Sequence, residues 1–132
     1  MLTDPIADYF IRIKNALLKR KLKIVVPYSK IKEEITILFK NKKVIDNYYV
    51  KKDEKTGFLS LVIRLSYFQK IPLILNLKRI SKPGCRIYSS YTTLYRYYSG
   101  SGFLIMSTSK GITDGSFCIK NKIGGEVLGA VS

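Results

Sequence analysis

Phe58-Leu59-Ser60-Leu61-Val62-Ile63-Arg64-Leu65 decides the fold class. Leu59, Leu61, Ile63 and Leu65 recur at every second position, the period of a strand that buries one face. Val44 to Lys51 reads as a second strand, and the polar segment Asp53-Glu54-Lys55-Thr56-Gly57 turns the chain between the two. Such a pair forms an antiparallel hairpin with one face packed on helices.

The helices lie upstream. Asp4-Pro5 is a helix start, because an Asp side chain can accept from free backbone N–H groups and Pro is pre-set for the first helical position. Ile6, Phe10, Ile13 and Leu17 then follow at helical spacing, with Asp8, Arg12, Asn15 and Lys19 on another face. Lys23 to Val26 is a short strand, after which Ser29 caps a second helix carrying Ile31, Ile35, Leu38 and Phe39. Residues 1–69 therefore read as an N-terminal α+β domain, helices packed on a three-stranded sheet.

Downstream the elements shorten. Tyr67 to Pro72 reads as a connector, and residues 70–132 as a second, C-terminal domain of short antiparallel strands with short helices. Leu73, Leu75 and Leu77 alternate with Asn76 and Lys78 in one strand; Lys82-Pro83-Gly84 is a turn, and Cys85 to Tyr88 returns as the partner strand. Tyr91, Leu94, Tyr95 and Tyr98 fit the buried side of a short helix ended by Gly100. Phe103 to Met106 is an apolar strand that delivers Ser107-Thr108-Ser109-Lys110-Gly111. Asp114 caps a short helix toward Lys122, and Gly124-Gly125 leads into a last strand, Glu126 to Val131.

Charge narrows the function. The 132 residues carry 24 Lys and Arg against 9 Asp and Glu and no His, a formal net charge of +15. That field attracts a polyanion. The second half, 70–132, holds nine basic residues and only the acids Asp114 and Glu126. No apolar run approaches the roughly 20 residues of a spanning helix, and no targeting segment is visible at the start, so neither a membrane nor an import route is expected. Cys85 and Cys118 have no CxxC spacing and no His beside them, and read as buried small hydrophobes, with a disulfide the lesser alternative, and not as metal ligands.

Catalysis finds little support. There is no His base, no GxxxxGK[ST] loop, and Gly100-Ser101-Gly102 precedes a strand where a dinucleotide turn would follow one. Ser107 or Ser109 with Lys110 could form a serine–lysine pair, but neighbours in sequence do not by themselves face one another. No cofactor or small-molecule substrate is expected. The same segment suits recognition: three hydroxyls can pair with 2′-OH groups, phosphates and base edges of an RNA helix, and Lys110 adds a cation. Composition alone leaves recognition loop and ordinary polar turn about even. Lys82, Arg86 and Tyr88, two cations and a stacking ring on the preceding hairpin, favour recognition, while Arg12, Asn15 and Lys19 are spaced to meet a phosphate backbone. The competing reading is a nonspecific double-stranded nucleic-acid-binding protein held by counterion release alone.

Several blocks together resemble a known family, the eighth protein of the small ribosomal subunit in its bacterial form. They are Thr3-Asp4-Pro5-Ile6-Ala7-Asp8 with Arg12-Ile13-Lys14-Asn15-Ala16, Arg79-Ile80-Ser81-Lys82-Pro83-Gly84 with Arg86-Ile87-Tyr88, Ser107-Thr108-Ser109-Lys110-Gly111, and Gly124-Gly125-Glu126-Val127-Leu128. They span nearly the whole chain in the family's order. The resemblance implies two α+β domains, the C-terminal one binding a helical region in the central domain of small-subunit ribosomal RNA and supporting its assembly beside neighbouring ribosomal proteins. It implies Ser107, Thr108, Ser109 and Lys110 as principal RNA contacts, Glu126 helping to hold the site, Lys82, Arg86 and Tyr88 close by, and the first helix and Lys30 as auxiliary contacts. It also implies a place in the ribosome; the Lys, Ile and Tyr bias of an AT-rich genome, with no targeting segment visible, fits either an organelle-encoded copy in a mitochondrial or plastid matrix or a compact bacterial genome and its cytoplasm. The chain departs from the family in having one residue fewer between Gly111 and Asp114, in Gly115-Ser116-Phe117-Cys118 where a charged helix is usual, and in its ending Gly129-Ala130-Val131-Ser132. The geometry behind the loop is therefore expected to be this chain's own.

Overall fold

A computed structural model describes residues 4–65, 67–68, 71–72, 77–97 and 102–131. The fold is α+β. Helix α1 (Pro5–Leu18) starts where the backbone N–H of Ala7 donates to the Asp4 carboxylate at 3.3 Å. Strand β1 (Lys23–Pro27) follows, and α2 (Lys30–Asn41) is capped by Ser29, whose hydroxyl oxygen accepts from the Lys32 N–H at 3.2 Å. β2 (Ile45–Lys52) and β3 (Leu59–Leu65) form the antiparallel hairpin, and β1 adds on the other side to give the order β1-β3-β2. Leu61, Ile63 and Leu65 are buried as their alternation requires, but Leu59, at the first position of β3, is 41% exposed, and Val62 is also buried, on the opposite face, between its cross-strand neighbours Val25 and Tyr49.

The connector contains a small ladder of its own, β4 (Tyr67–Phe68) paired with β5 (Ile71–Pro72). Beyond it come β6 (Leu77–Arg79), β7 (Tyr88–Ser89), a 3-10 turn at Leu94–Tyr97, β8 (Phe103–Thr108), β9 (Gly111–Asp114), α3 (Gly115–Asn121) and β10 (Gly125–Val131). Asp114 caps α3 as its sequence position implies, accepting from the Phe117 N–H at 3.2 Å.

Three expectations are corrected. Cys85 to Tyr88 is not the partner of the strand before it: β6 and β7 both pair with β10, end to end along one edge, while β8 takes the other edge. Only the turn between them is hairpin-like, with Lys82 and Cys85 exchanging both backbone hydrogen bonds at 3.1 and 2.9 Å. The tyrosine stripe is a single 3-10 turn in which Leu94 is fully buried and Tyr95 is 67% exposed, with the Arg96 guanidinium 6.0 Å from its ring. Tyr98 and Gly100, like Leu73 and Leu75, lie outside the described residues. Cys85 is exposed at its turn, whereas Cys118 is buried, and burial raises its thiol pKa; both are free.

One apolar cluster joins the two halves. Ile6, Tyr9, Phe10 and Ile13 of α1 and Ile35 and Phe39 of α2 pack with Leu61 and Ile63 of the first sheet and with Leu77, Ile105, Leu128 and Val131 of the second. The Tyr9 and Phe39 rings stack at 6.4 Å, and Phe103 meets Phe39 edge-on at 6.3 Å. A smaller cluster of Leu94, Leu104, Met106, Cys118, Val127 and Ala130 fills the other face of the second sheet, under α3. Among the described residues two ion pairs also cross between the halves, and both use a helix-capping carboxylate. Asp4 pairs with Arg79, at 3.0 Å to Nε, and Asp114 pairs with Lys42.

The helices end on basic residues. Arg20 (φ +54°) after α1, Lys43 (φ +62°) after α2 and Lys122 (φ +54°) after α3 adopt the left-handed conformation that completes each last turn. At Lys43 the Val44 N–H reaches back to the Phe39 carbonyl and the Lys43 N–H to that of Lys40, both at 3.0 Å. A Cβ in this region is strained, and Gly is the residue that avoids the strain. Lys43→Gly is accordingly expected to raise the unfolding free energy by about 0.5 to 1 kcal/mol, measured by urea denaturation.

Candidate nucleic-acid interface

The polar segment is a hairpin, not a free loop. Ser107 and Thr108 belong to β8, Ser109 and Lys110 make the turn, and Gly111 opens β9, with Ser107 opposite Ile112 and Thr108 opposite Gly111. The two turn residues keep negative φ, so the turn twists the wrong way for a β-ribbon, and Gly111 at φ +100° restores the strand direction. A Cβ there would meet nothing within 4 Å, so glycine is needed for its conformation and not for space. Thr108 locks the turn: its hydroxyl donates to the Gly111 carbonyl at 3.0 Å and accepts from the Lys110 N–H at 3.1 Å.

Across the sheet, Glu126 of β10 stands opposite Tyr88 on one side and Ser107 on the other, which places all three on one face. Glu126 is the inner member. Its Oε1 accepts from the Ser81 hydroxyl at 2.6 Å and from Arg86 Nη1 at 3.1 Å, and the Ser81 oxygen accepts from the Ile87 N–H at 3.1 Å. A carboxylate facing a polyanion would repel it; this one is 15% exposed and neutralised by Arg86. The network holds the Ser81–Tyr88 segment against β10.

Around that satisfied frame the outer groups are unspent. Among the described residues the side chains of Ser107, Ser109, Lys110, Lys82 and Tyr88 make no hydrogen bond or ion pair, and Tyr88 is 68% exposed. Structure thus separates residues that the sequence grouped together: Ser107, Ser109, Lys110, Tyr88 and Lys82 are available, whereas Thr108, Arg86 and Glu126 are engaged internally. Arg12, Asn15 and Lys30 stand apart. Arg12 pairs with Asp8 at 3.0 Å, and with Asn15 and Lys19 it lines a depression of about 330 Å³ between α1 and β1. Lys30 is exposed at the first residue of α2.

Sequence reasoning missed Ser81 and Gly125. A Cβ on Gly125 would lie 2.3 Å from the Ser107 carbonyl oxygen, and one on Gly124 2.7 Å from that of Ser89, so paired glycines let β10 enter between two backbones. The glycine pair was visible as a turn signal, but the close approach depends on strands distant in sequence.

Among the described residues no serine hydroxyl bonds a lysine ammonium, and there is no group of three potential metal ligands. No helix among them is long and apolar enough to cross a membrane. Fold and site define a basic two-sheet α+β protein that presents unpaired hydroxyls, a cation and an aromatic ring on a braced hairpin. The family model described as Ribosomal protein S8 matches residues 4–132, and the chain belongs to this family. Similar proteins include the small ribosomal subunit protein uS8 of Azobacteroides pseudotrichonymphae genomovar. CFP2, 45% identical over 96% of this chain and 97% of that one. Those of Persephonella marina and Bacteroides fragilis are 41% and 39% identical, over 97% and 96% of this chain and 97% of each relative. The chain is therefore a structural constituent of the small ribosomal subunit and not an enzyme.

Proposed function

We propose that this chain binds a helical region in the central domain of small-subunit ribosomal RNA and supports the assembly of that domain. Ser107 and Ser109 offer hydroxyls to 2′-OH groups and base edges in the shallow minor groove, Lys110 and Lys82 meet phosphates, and Tyr88 provides a stacking face. Thr108, Arg86 and Glu126 act from behind, fixing the turn and the adjacent segment so that little ordering remains to be done on binding. Residues 70–132 form the RNA-binding domain. Residues 1–69 buttress it through the shared core and supply Arg12, Asn15 and Lys30 as auxiliary phosphate contacts, with neighbouring ribosomal proteins completing the surroundings. The bacterial origin of the relatives described above supports a bacterial-type ribosome.

The observation that carries this reading is the row Tyr88, Glu126, Ser107, in which the inner carboxylate is satisfied and the flanking groups are not. Ultraviolet cross-linking in extract tests it. The peptide containing Ser107 to Gly111 is expected on small-subunit ribosomal RNA; attachment spread over unrelated duplexes would instead show charge-driven binding without recognition.

A further inference from the structure

The outer face of the first sheet has no part in the hairpin. α1 and α2 cover the inner face, and on the outer one the cross-strand rows are Lys23, Arg64 and Asn47; Val25, Val62 and Tyr49; and Pro27, Ser60 and Lys51. The middle row makes an apolar strip with Val62 as its buried floor, Val25 55% exposed and Tyr49 56% exposed. Two adjoining depressions, of about 640 and 570 Å³, share Lys23, Tyr49 and Val62. Cations stand on both sides of the strip: Lys23 and Arg64 in one outer row, Lys51 in the other. Among the described residues Arg64 pairs with Asp46 at 3.4 Å, with both side chains more than 60% exposed, a pair weak enough to be exchanged for a phosphate. The nearby Asp53 carboxylate is occupied in its own turn, accepting from the Lys55 N–H at 2.9 Å.

We infer that this face is a second nucleic-acid site, one that takes an unpaired RNA segment with a base stacked on Tyr49 and phosphates on Lys23, Lys51 and Arg64. The inference rests on the reading that the chain works on RNA, but it uses a separate surface. A tyrosine ring on an open sheet flanked by cations is the arrangement by which single strands are held without base readout. A duplex buries its base faces and cannot use the ring. With Leu22 at the edge of one depression, three exposed apolar side chains, Leu22, Val25 and Tyr49, are too small a patch for a stable protein interface.

Fluorescent oligouridylate of roughly 12 nucleotides, long enough for one such face, is the probe, titrated into the full chain at low salt. Tyr49→Ala is expected to weaken binding about fivefold or more, and Tyr49→Phe to stay within about twofold of the parent, because the ring stacks and the hydroxyl does not. Lys23→Gln with Lys51→Gln should flatten the salt dependence, while Lys14→Gln with Lys120→Gln should not. Photo-cross-linking of the unsubstituted chain should mark the peptide containing Tyr49, which keeps the test valid if a variant fails to fold. Titrating the Tyr49→Ala chain in parallel with the central-domain RNA helix keeps the two readings distinguishable: loss of oligouridylate binding alone belongs to this face, and failure to bind the helix alone belongs to the hairpin reading. Absence of oligouridylate binding, a folded Tyr49→Ala variant that binds like the parent, or equal competition by an acidic peptide of the same charge overturns the inference.

Discussion

Arg79→Ala is expected to lower the unfolding free energy by about 3 kcal/mol in urea at neutral pH, because it leaves a largely desolvated carboxylate without its partner. Arg79 is 8% exposed and Asp4 19%, so solvent screens this pair little. The guanidinium donates through Nε and Nη2 to the two Asp4 oxygens at 3.0 and 3.3 Å, and through Nη1 to the Leu128 carbonyl at 2.7 Å. One side chain thus ties the start of α1 to β6 and to the irregular part of β10, where the pairing with β8 shifts register between Val127 and Gly129. Losing it strips Asp4 of its charge partner, leaving only the Ala7 N–H at 3.3 Å, and leaves the Leu128 carbonyl with the Ile80 N–H at 3.1 Å as its remaining donor. Arg79→Lys should recover only part of the loss, since an ammonium cannot reproduce the planar fork. A cost under about 1 kcal/mol would place the pair among solvent-screened surface bridges.

Gly125→Ala is expected to cost about 2 to 3 kcal/mol, as overpacking against a part that cannot yield does. The new methyl would stand 2.3 Å from the Ser107 carbonyl oxygen and 3.1 Å from the Thr108 Cγ2. A flexible side chain could move aside; the backbone of a strand paired on both edges cannot, so β10 must part from β8 at the Glu126–Ser107 row. The row carries the proposed contacts, so RNA affinity should fall at least about tenfold along with stability. Gly57→Ala is the control: φ there is +75° but the Cβ position is open, so only conformational strain, about 1 kcal/mol, is expected, with RNA binding unchanged. Equal losses at the two glycines, or RNA binding kept at Gly125→Ala, would contradict the account.

Local signals in the sequence were read correctly. Asp4, Ser29 and Asp114 cap the helices they precede, and the alternation marks the buried face of β3 at Leu61, Ile63 and Leu65 though not at Leu59, because each signal depends on a few neighbouring residues. What escaped is nonlocal. Nothing in the spacing says that the segments flanking Lys82-Pro83-Gly84 both pair with a distant strand, Arg79 with Gly129 and Tyr88 with Glu126, where the default of hairpin pairing between successive strands fails. The spacing of Tyr91, Leu94, Tyr95 and Tyr98 makes a buried stripe only at a helical period, and the 3-10 turn Leu94–Tyr97 buries Leu94 alone of its four residues. For the site, sequence could list hydroxyls, cations and rings but not which were already engaged. Arg86 meets Glu126 across 40 positions, and Asp4 meets Arg79 across 75, so the division between available and structural groups waited on the fold. The shortened stretch from Gly111 to Asp114 proves to be a regular strand, with Ile112 opposite Ser107 and Thr113 opposite Met106.

The central claim is that the hairpin recognises RNA through groups the fold leaves unspent, and Ser107→Ala with Ser109→Ala tests it most directly. Thr108 is left intact because its hydroxyl holds the turn. Neither substituted hydroxyl has a partner among the described residues, so the unfolding free energy should stay within about 0.5 kcal/mol of the parent. Binding to the small-subunit central-domain RNA helix should weaken by roughly 1 kcal/mol per lost bond, about thirtyfold for the pair, while binding to a scrambled duplex at the same salt stays as it was. Affinity for the cognate helix that survives both substitutions, or equal affinity of the parent for cognate and scrambled duplexes across salt concentrations, would contradict it.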